Sequence, residues 1–269
     1  MKKKLLITMG CSFTEGMGCY DEKLQKKLNI SKGEGLVLPW SSNYNKLFLD
    51  SKPSFHEHGW PVKVGKMLGY DNLINLGLSG SSTSGQVKLF MEKFSTINFS
   101  EYDCVNIIWM LTDPSRFSFY LHYINRDFHP GLGDEGISKE YLKMVDSINF
   151  DFTLEQIFYI KVMEQICKGN DIKLLITHWD GDMFDELNKM YNSNSYMKTT
   201  SSFPIDFSRY PSLRSNLCAH PNKLGYEHVA TKMVDVIKKF HSNFVVGELN
   251  NNMKWKWSGD YIIFKKSTI

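Results

Sequence analysis

Four short apolar runs, residues 4–9, 72–76, 104–110 and 172–178, constrain this chain most. Each is bounded by polar or turn residues, the pattern of strands buried on both faces of a parallel sheet. Between and after them lie stretches that suit helices, at 60–68, 83–97, 153–168 and 222–241. The last has Asn222 near its start and apolar residues at Leu224, Val229, Met233, Val236 and Ile237, an amphipathic spacing. Strand–helix alternation predicts an α/β fold, a three-layer α/β/α sandwich around a parallel sheet. A chain of 269 residues is long enough for one such domain with a sizeable core. The domain is expected over 1–245.

Two segments exceed what that fold requires. Residues 19–58 are polar and aromatic with few periodic features, and 112–152 are rich in aromatics around Pro130-Gly131-Leu132-Gly133. Long irregular insertions in compact domains tend to be lids or binding loops. Both are expected to leave the sheet at strand carboxyl ends and to wall the site, with Trp40, Trp60 or the aromatics of 117–123 facing it. Residues 246–269 read as a β-hairpin appendage around Ser258-Gly259-Asp260 that docks away from the core.

Composition removes several function classes. The net charge of +3 is too small to argue for nucleic acid or an anionic membrane, so neither is expected as a partner. The five cysteines, Cys11, Cys19, Cys104, Cys167 and Cys218, include no CxxC pair. That argues against a disulfide framework or a structural zinc site and points to a reducing, cytoplasmic compartment. The opening Met1-Lys2-Lys3-Lys4 resembles the start of a signal peptide. The apolar run Leu5–Met9 is too short for one, and a buried first strand is the better reading.

The first run leads into Gly10-Cys11-Ser12-Phe13-Thr14-Glu15-Gly16. In open α/β sheets ligands bind beyond the carboxyl ends of strands, so Ser12 stands where a nucleophile would. A serine needs a base, and His220-Pro221 far downstream supplies one. The bland readings are that Ser12 closes a turn and His220 caps the last helix. Cys11 reads as buried at the strand end rather than as a nucleophile. Gly10–Gly18 lacks the lysine of a phosphate-binding loop. His56, Glu57 and His58 are too tightly spaced for helical metal ligation and read as solvated loop residues. His178, at a strand end, lines the pocket or competes with His220 as base.

These blocks resemble the SGNH/GDSL hydrolases, whose first block reads Gly-Asp-Ser-Phe-Thr-Glu-Gly. Asn75-Leu76-Gly77-Leu78-Ser79-Gly80 is similar to the second block. Met110-Leu111-Thr112-Asp113 stands at the third, and His220-Pro221 fits the last. Together they span roughly residues 4 to 240. The form Trp109-x-x-x-Asp113-Pro114-x-Arg116-Phe117 resembles a divergent branch common in tailed bacteriophages. The resemblance implies a flavodoxin-like sandwich and ester hydrolysis without cofactor or metal. Ser12 would be the nucleophile and His220 the base. Oxyanion donors would be the backbone of Ser12, Gly80 and Thr112.

The chain departs from the family at three places. Thr112 replaces an asparagine and Cys11 an aspartate. Leu217 occupies the position, three before the histidine, where the family has an acid. The Asn216 side chain or a nearby backbone carbonyl is the expected neutral partner of His220; a carboxylate such as Asp180 or Asp206 within reach would restore a full triad. Asp113 and Arg116 are expected to shape the pocket or pair with each other. The expected substrate is an acetyl or short-acyl ester of a carbohydrate. The rival reading is an inactive binding or virion module, in the host cytoplasm or virion if phage-encoded, with a homo-oligomer or virion assembly as the candidate partner.

Overall fold

The computed structural model describes residues 3–30, 42–114, 117–121, 124–128, 152–200, 203, 205, 210–218, 220–248, 253–257 and 262–266. Four parallel strands form the centre: β1 (Lys3–Gly10), β2 (Asn72–Gly77), β3 (Tyr102–Leu111) and β6 (Lys173–His178), in the order β6-β3-β1-β2. A small antiparallel pair, β4 (Phe117–Leu121) with β5 (Ile124–Phe128), stands apart from that sheet.

Alternation along the strands sorts side chains to two cores. Leu5, Ile7 and Met9 of β1 join Ile107, Trp109 and Leu111 of β3 on one face. They are covered there by α6 (Thr83–Phe94), α7 (Phe152–Gly169) and α8 (Gly181–Met190). Leu6, Leu73, Ile108 and Met110 face the other way. Their cover is α4 (Lys52–His58), α5 (Trp60–Met67) and α9 (Lys223–Phe240). The chain is therefore the expected three-layer α/β/α sandwich.

The insertion at 19–58 is more regular than its sequence suggests. Its described part contains α2 (Glu22–Lys27), α3 (Ser42–Asp50) and α4. Two of these have only 6 and 7 residues, too few for a helical apolar period to emerge. Trp40 and Arg116 lie outside the described residues, as do Asp206 and most of 112–152.

The C-terminal segment forms the expected hairpin, β7 (Met253–Trp257) with β8 (Ile262–Lys266). It is part of the main sheet. β8 pairs antiparallel with β2 from Asn72↔Lys265 to Asn75↔Ile262, so the six-stranded order is β6-β3-β1-β2-β8-β7. Among the described residues no helix is long and apolar enough to cross a membrane.

Register places the reactive edge. Gly10 lies level with Gly77 and Met110, and Leu111 lies level with His178. All four parallel strands thus end together. The residues that follow them, Ser12, Leu78–Ser81, Thr112–Asp113 and Trp179–Asp180, gather at one edge.

Candidate functional site

Ser12 opens α1 (Ser12–Glu15), a single turn directly after β1. Its hydroxyl lies 2.7 Å from His220 Nε2, although the two residues are 208 positions apart in the chain. Ser12 is only 3% exposed, and His220 is half-buried. The histidine sits in a tight loop just before α9. Ser215 N–H donates to His220 O at 2.8 Å, and Asn222 N–H donates to Leu213 O at 2.8 Å. Asn222 caps α9 through Gly225 N–H and ties its own amide to the carbonyls of Ser212 and Arg214. Each bond fixes the backbone on either side of the imidazole.

Gly18 brings the two halves together. At φ +108° it is left-handed, and a Cβ there would lie 2.3 Å from Pro221 O and 3.1 Å from His220 Cβ. Only a glycine lets the chain after α1 pass this close behind the histidine. Tyr226, fully buried on α9, donates its hydroxyl to Met17 O at 2.9 Å and holds the same crossing. The Phe13 ring lies 4.9 Å from the His220 ring and stacks on Trp179 at 5.1 Å, limiting how far the imidazole can swing.

The second loop is held from two sides. Residues 78–81 form a turn closed by Ser81 N–H to Leu78 O at 3.1 Å, with Gly80 at φ +82°. Positive φ at that position of a type II turn favours glycine, and nothing lies within 4 Å of where its Cβ would be. On one side Glu15, 1% exposed, accepts the Ser79 N–H at 2.9 Å and the Ser79 hydroxyl, and pairs with Lys52 at 3.3 Å. On the other side Trp109 Nε1–H donates to Gln86 Oε1 at 2.7 Å. The Gln86 amide donates to Ser81 Oγ at 3.2 Å, and Ser81 donates to Gly10 O at 3.3 Å. Glu15 and Gln86 are positioning groups that the sequence reading did not single out.

Thr112 directly follows β3 and is fully buried. Its carbonyl accepts from Gln156 Nε2 at 2.9 Å and from His178 Nε2 at 3.1 Å. Its hydroxyl has no hydrogen-bond partner among the described residues. Asp113 follows it, half-buried.

His178 does not compete for the role of base. Asp180 N–H donates to its Nδ1 at 2.9 Å, which fixes the proton on Nε2, the nitrogen facing Thr112 O. Burial lowers its pKa, so it stays neutral and ties the ends of β3 and β6 together. Trp60, fully buried, shares a small internal cavity with His178, Phe13 and Trp179. Asp180 caps α8, accepting from Asp182 N–H at 2.9 Å and Met183 N–H at 3.1 Å. Asn216 is exposed and lines a large cavity behind the loop; no hydrogen bond joins it to His220 among the described residues. Leu217, in the family's acid position, is fully buried in the apolar core.

The reading of His56 as a solvated loop residue needs correction. It lies on α4, 5% exposed, with Nδ1 3.1 Å from Asn75 Nδ2. Asn75 also donates to Thr14 O at 3.1 Å and accepts from Thr8 Oγ1 at 3.1 Å and Gly77 N–H at 2.9 Å. An amide donor makes Nδ1 an acceptor, so His56 is neutral. A polar Asn75 within the otherwise apolar Leu73-Ile74-Asn75-Leu76 was the available signal, because a buried amide must find partners. Among the described residues no cluster of three or more potential metal ligands occurs.

Burial pushes the His56 pKa down from 6.5 to about 4. The unfolded chain therefore binds this proton first as pH falls. The His56 contribution to stability is complete above the unfolded pKa of 6.5 and is lost as pH drops toward about 4. Urea unfolding at pH 7 and pH 4.5 should show wild type losing about 2–3 kcal/mol more than His56→Asn. Equal losses would mean that His56 takes up its proton without cost.

No family model matches the chain, and no curated protein matches it.

Proposed function

We propose that the protein is a serine ester hydrolase of the SGNH type. The observation that carries this reading is the 2.7 Å contact between Ser12 Oγ and His220 Nε2 at the carboxyl edge of a parallel sheet. The Ser12 oxygen attacks the ester carbonyl carbon while Nε2 takes its proton. The imidazolium then returns that proton to the leaving alcohol as the C–O bond breaks. Water, deprotonated by the same nitrogen, hydrolyses the acyl-serine.

Charge developing on the carbonyl oxygen needs fixed donors. The Ser12 N–H stands in the first turn of α1, where no intrahelical acceptor exists. Gly80, on its clamped turn, and the Thr112 hydroxyl are the further candidates. The burial of Ser12, only 3% exposed, suits a small acyl group, acetyl or slightly longer, and the family resemblance points to a carbohydrate alcohol.

A fluorophosphonate probe should label Ser12, located by peptide mass spectrometry, and Ser12→Ala should abolish the label. A folded wild-type chain that takes no label would shift the reading to a binding module that keeps the fold without the reaction.

A further inference from the structure

Glu15 carries a carboxylate into the interior, 1% exposed, at the far end of the nucleophile's own helical turn. A buried charge is costly unless it is paired and its oxygens are satisfied. The two oxygens divide the task. Oε2 accepts the Ser79 N–H at 2.9 Å and the Ser79 hydroxyl, and Oε1 faces Lys52 Nζ at 3.3 Å. Among the described residues no other cation pairs with this carboxylate.

Lys52 reaches it from the 19–58 insertion. It opens α4, where the helix dipole disfavours a cation, so its own helix does not explain its place. Two further contacts seat α4 on the nucleophile's turn without using Lys52. A Cβ at Gly16, the C-cap of α1, would lie 2.1 Å from Phe55 O. His56 accepts from the Asn75 amide, which also donates to Thr14 O. Lys52 can therefore be replaced while α4 stays seated.

The chain of contacts ends beside an oxyanion donor. Ser79 directly precedes Gly80, which is exposed on its turn. With both its N–H and its hydroxyl on Glu15, Ser79 keeps its orientation, and so does the next peptide, which carries the Gly80 N–H. The Ser12 N–H belongs to the same turn as Glu15. One carboxylate thus sets the spacing of two donors, and such donors act only when aimed at the developing charge.

We infer that Lys52 is a positioning residue for the oxyanion site: by locking Glu15 it holds the turn 78–81 in place against Ser12. The inference rests on the ester-hydrolase reading for its effect on turnover, but the hold on Ser79 can be measured without turnover.

Amide hydrogen exchange on the full-length chain reads that hold directly. Lys52→Met should speed exchange of the Ser79 N–H about tenfold while β1 stays slow, and Lys52→Arg, which keeps the charge, should restore the slow rate. With p-nitrophenyl acetate, Lys52→Met and Ser79→Ala should each lower kcat about tenfold at unchanged KM, the size expected of a donor misaimed rather than removed. Ser79→Ala leaves the Lys52–Glu15 pair intact, so its loss of activity cannot come from a broken pair. Unaltered kcat in either variant, a raised KM with kcat kept, no rescue by arginine, or exchange that rises equally in β1 would each overturn the inference. Fluorophosphonate labelling of the wild-type chain separates the two readings. Labelling with unaltered Ser79 exchange in Lys52→Met keeps the hydrolase and rejects the positioning role. Faster exchange without labelling rejects the hydrolase and keeps Lys52 as the residue that fixes the turn.

Discussion

His220→Ala should lower kcat for a small ester such as p-nitrophenyl acetate by about four orders of magnitude, with KM nearly unchanged. The size follows from what the imidazole does. It removes the serine proton in one step and returns a proton in the next, so its loss disables both halves of the reaction. The unchanged KM follows from position. Nε2 is engaged with Ser12 rather than with a bound ester, so the ground-state complex forms without it. Phe13, stacked on Trp179 and tilted against His220, should keep the vacated space from collapsing onto Ser12. Stopped assays with and without imidazole in the buffer check the assignment. Partial rescue by added imidazole marks a missing base, whereas a loss of activity that tracks a loss of folded protein would mean that His220 is structural. A fall of less than tenfold would reject His220 as the base.

The architecture that brings Ser12 to His220 was legible in the chain to an uneven degree, for physical reasons. Buried parallel strands must be short and apolar, and the runs at 4–9 and 104–110 announce themselves by that character and by their polar or turn boundaries. The helices that cover them are long enough for a period to emerge, as at Thr83–Phe94 and Lys223–Phe240. The helices of 19–58 were not legible, because α2 and α4 are shorter than two full turns and carry lysines, glutamate and histidines. The alternation of Met253-Lys254-Trp255-Lys256-Trp257 revealed a strand. Its place beside β2 depends on which sheet edge is free, and no local pattern encodes that.

The site divides in the same way. Ser12, Gly80 and His220 stand in recognisable blocks; the strands' common register carries the first two to one edge, and the loop before α9 brings His220 to it. Glu15 looked like one more letter of its block, yet its partners Ser79 and Lys52 come from elsewhere in the chain. His56 was misjudged because its neighbours Glu57 and His58 are polar, while its burial is decided by Asn75 on a strand 19 residues away. Asn216 is close to His220 in sequence alone. The loop between them turns the asparagine outward to the large cavity and buries Leu217 instead.

Thr112→Val should move stability and activity in opposite directions. The Thr112 hydroxyl is buried and has no hydrogen-bond partner among the described residues, while its carbonyl is held by Gln156 and His178. A buried hydroxyl without a partner costs about 1–3 kcal/mol. Valine has nearly the same shape and removes that cost, so the variant should be more stable by about 1 kcal/mol in urea unfolding. The backbone ties that place residue 112 do not involve the side chain and should persist. If the hydroxyl waits for the oxyanion, its loss removes a donor used only in the transition state. kcat should then fall by about two orders of magnitude with KM unchanged. Fluorophosphonate labelling of Ser12 should slow in parallel, because the probe's phosphoryl oxygen develops the same charge. A more stable variant with unaltered kcat would assign the hydroxyl to packing and leave Ser12 and Gly80 as the oxyanion donors. A less stable variant would mean that the hydroxyl has a partner in the resting enzyme, and the oxyanion role would fall with it.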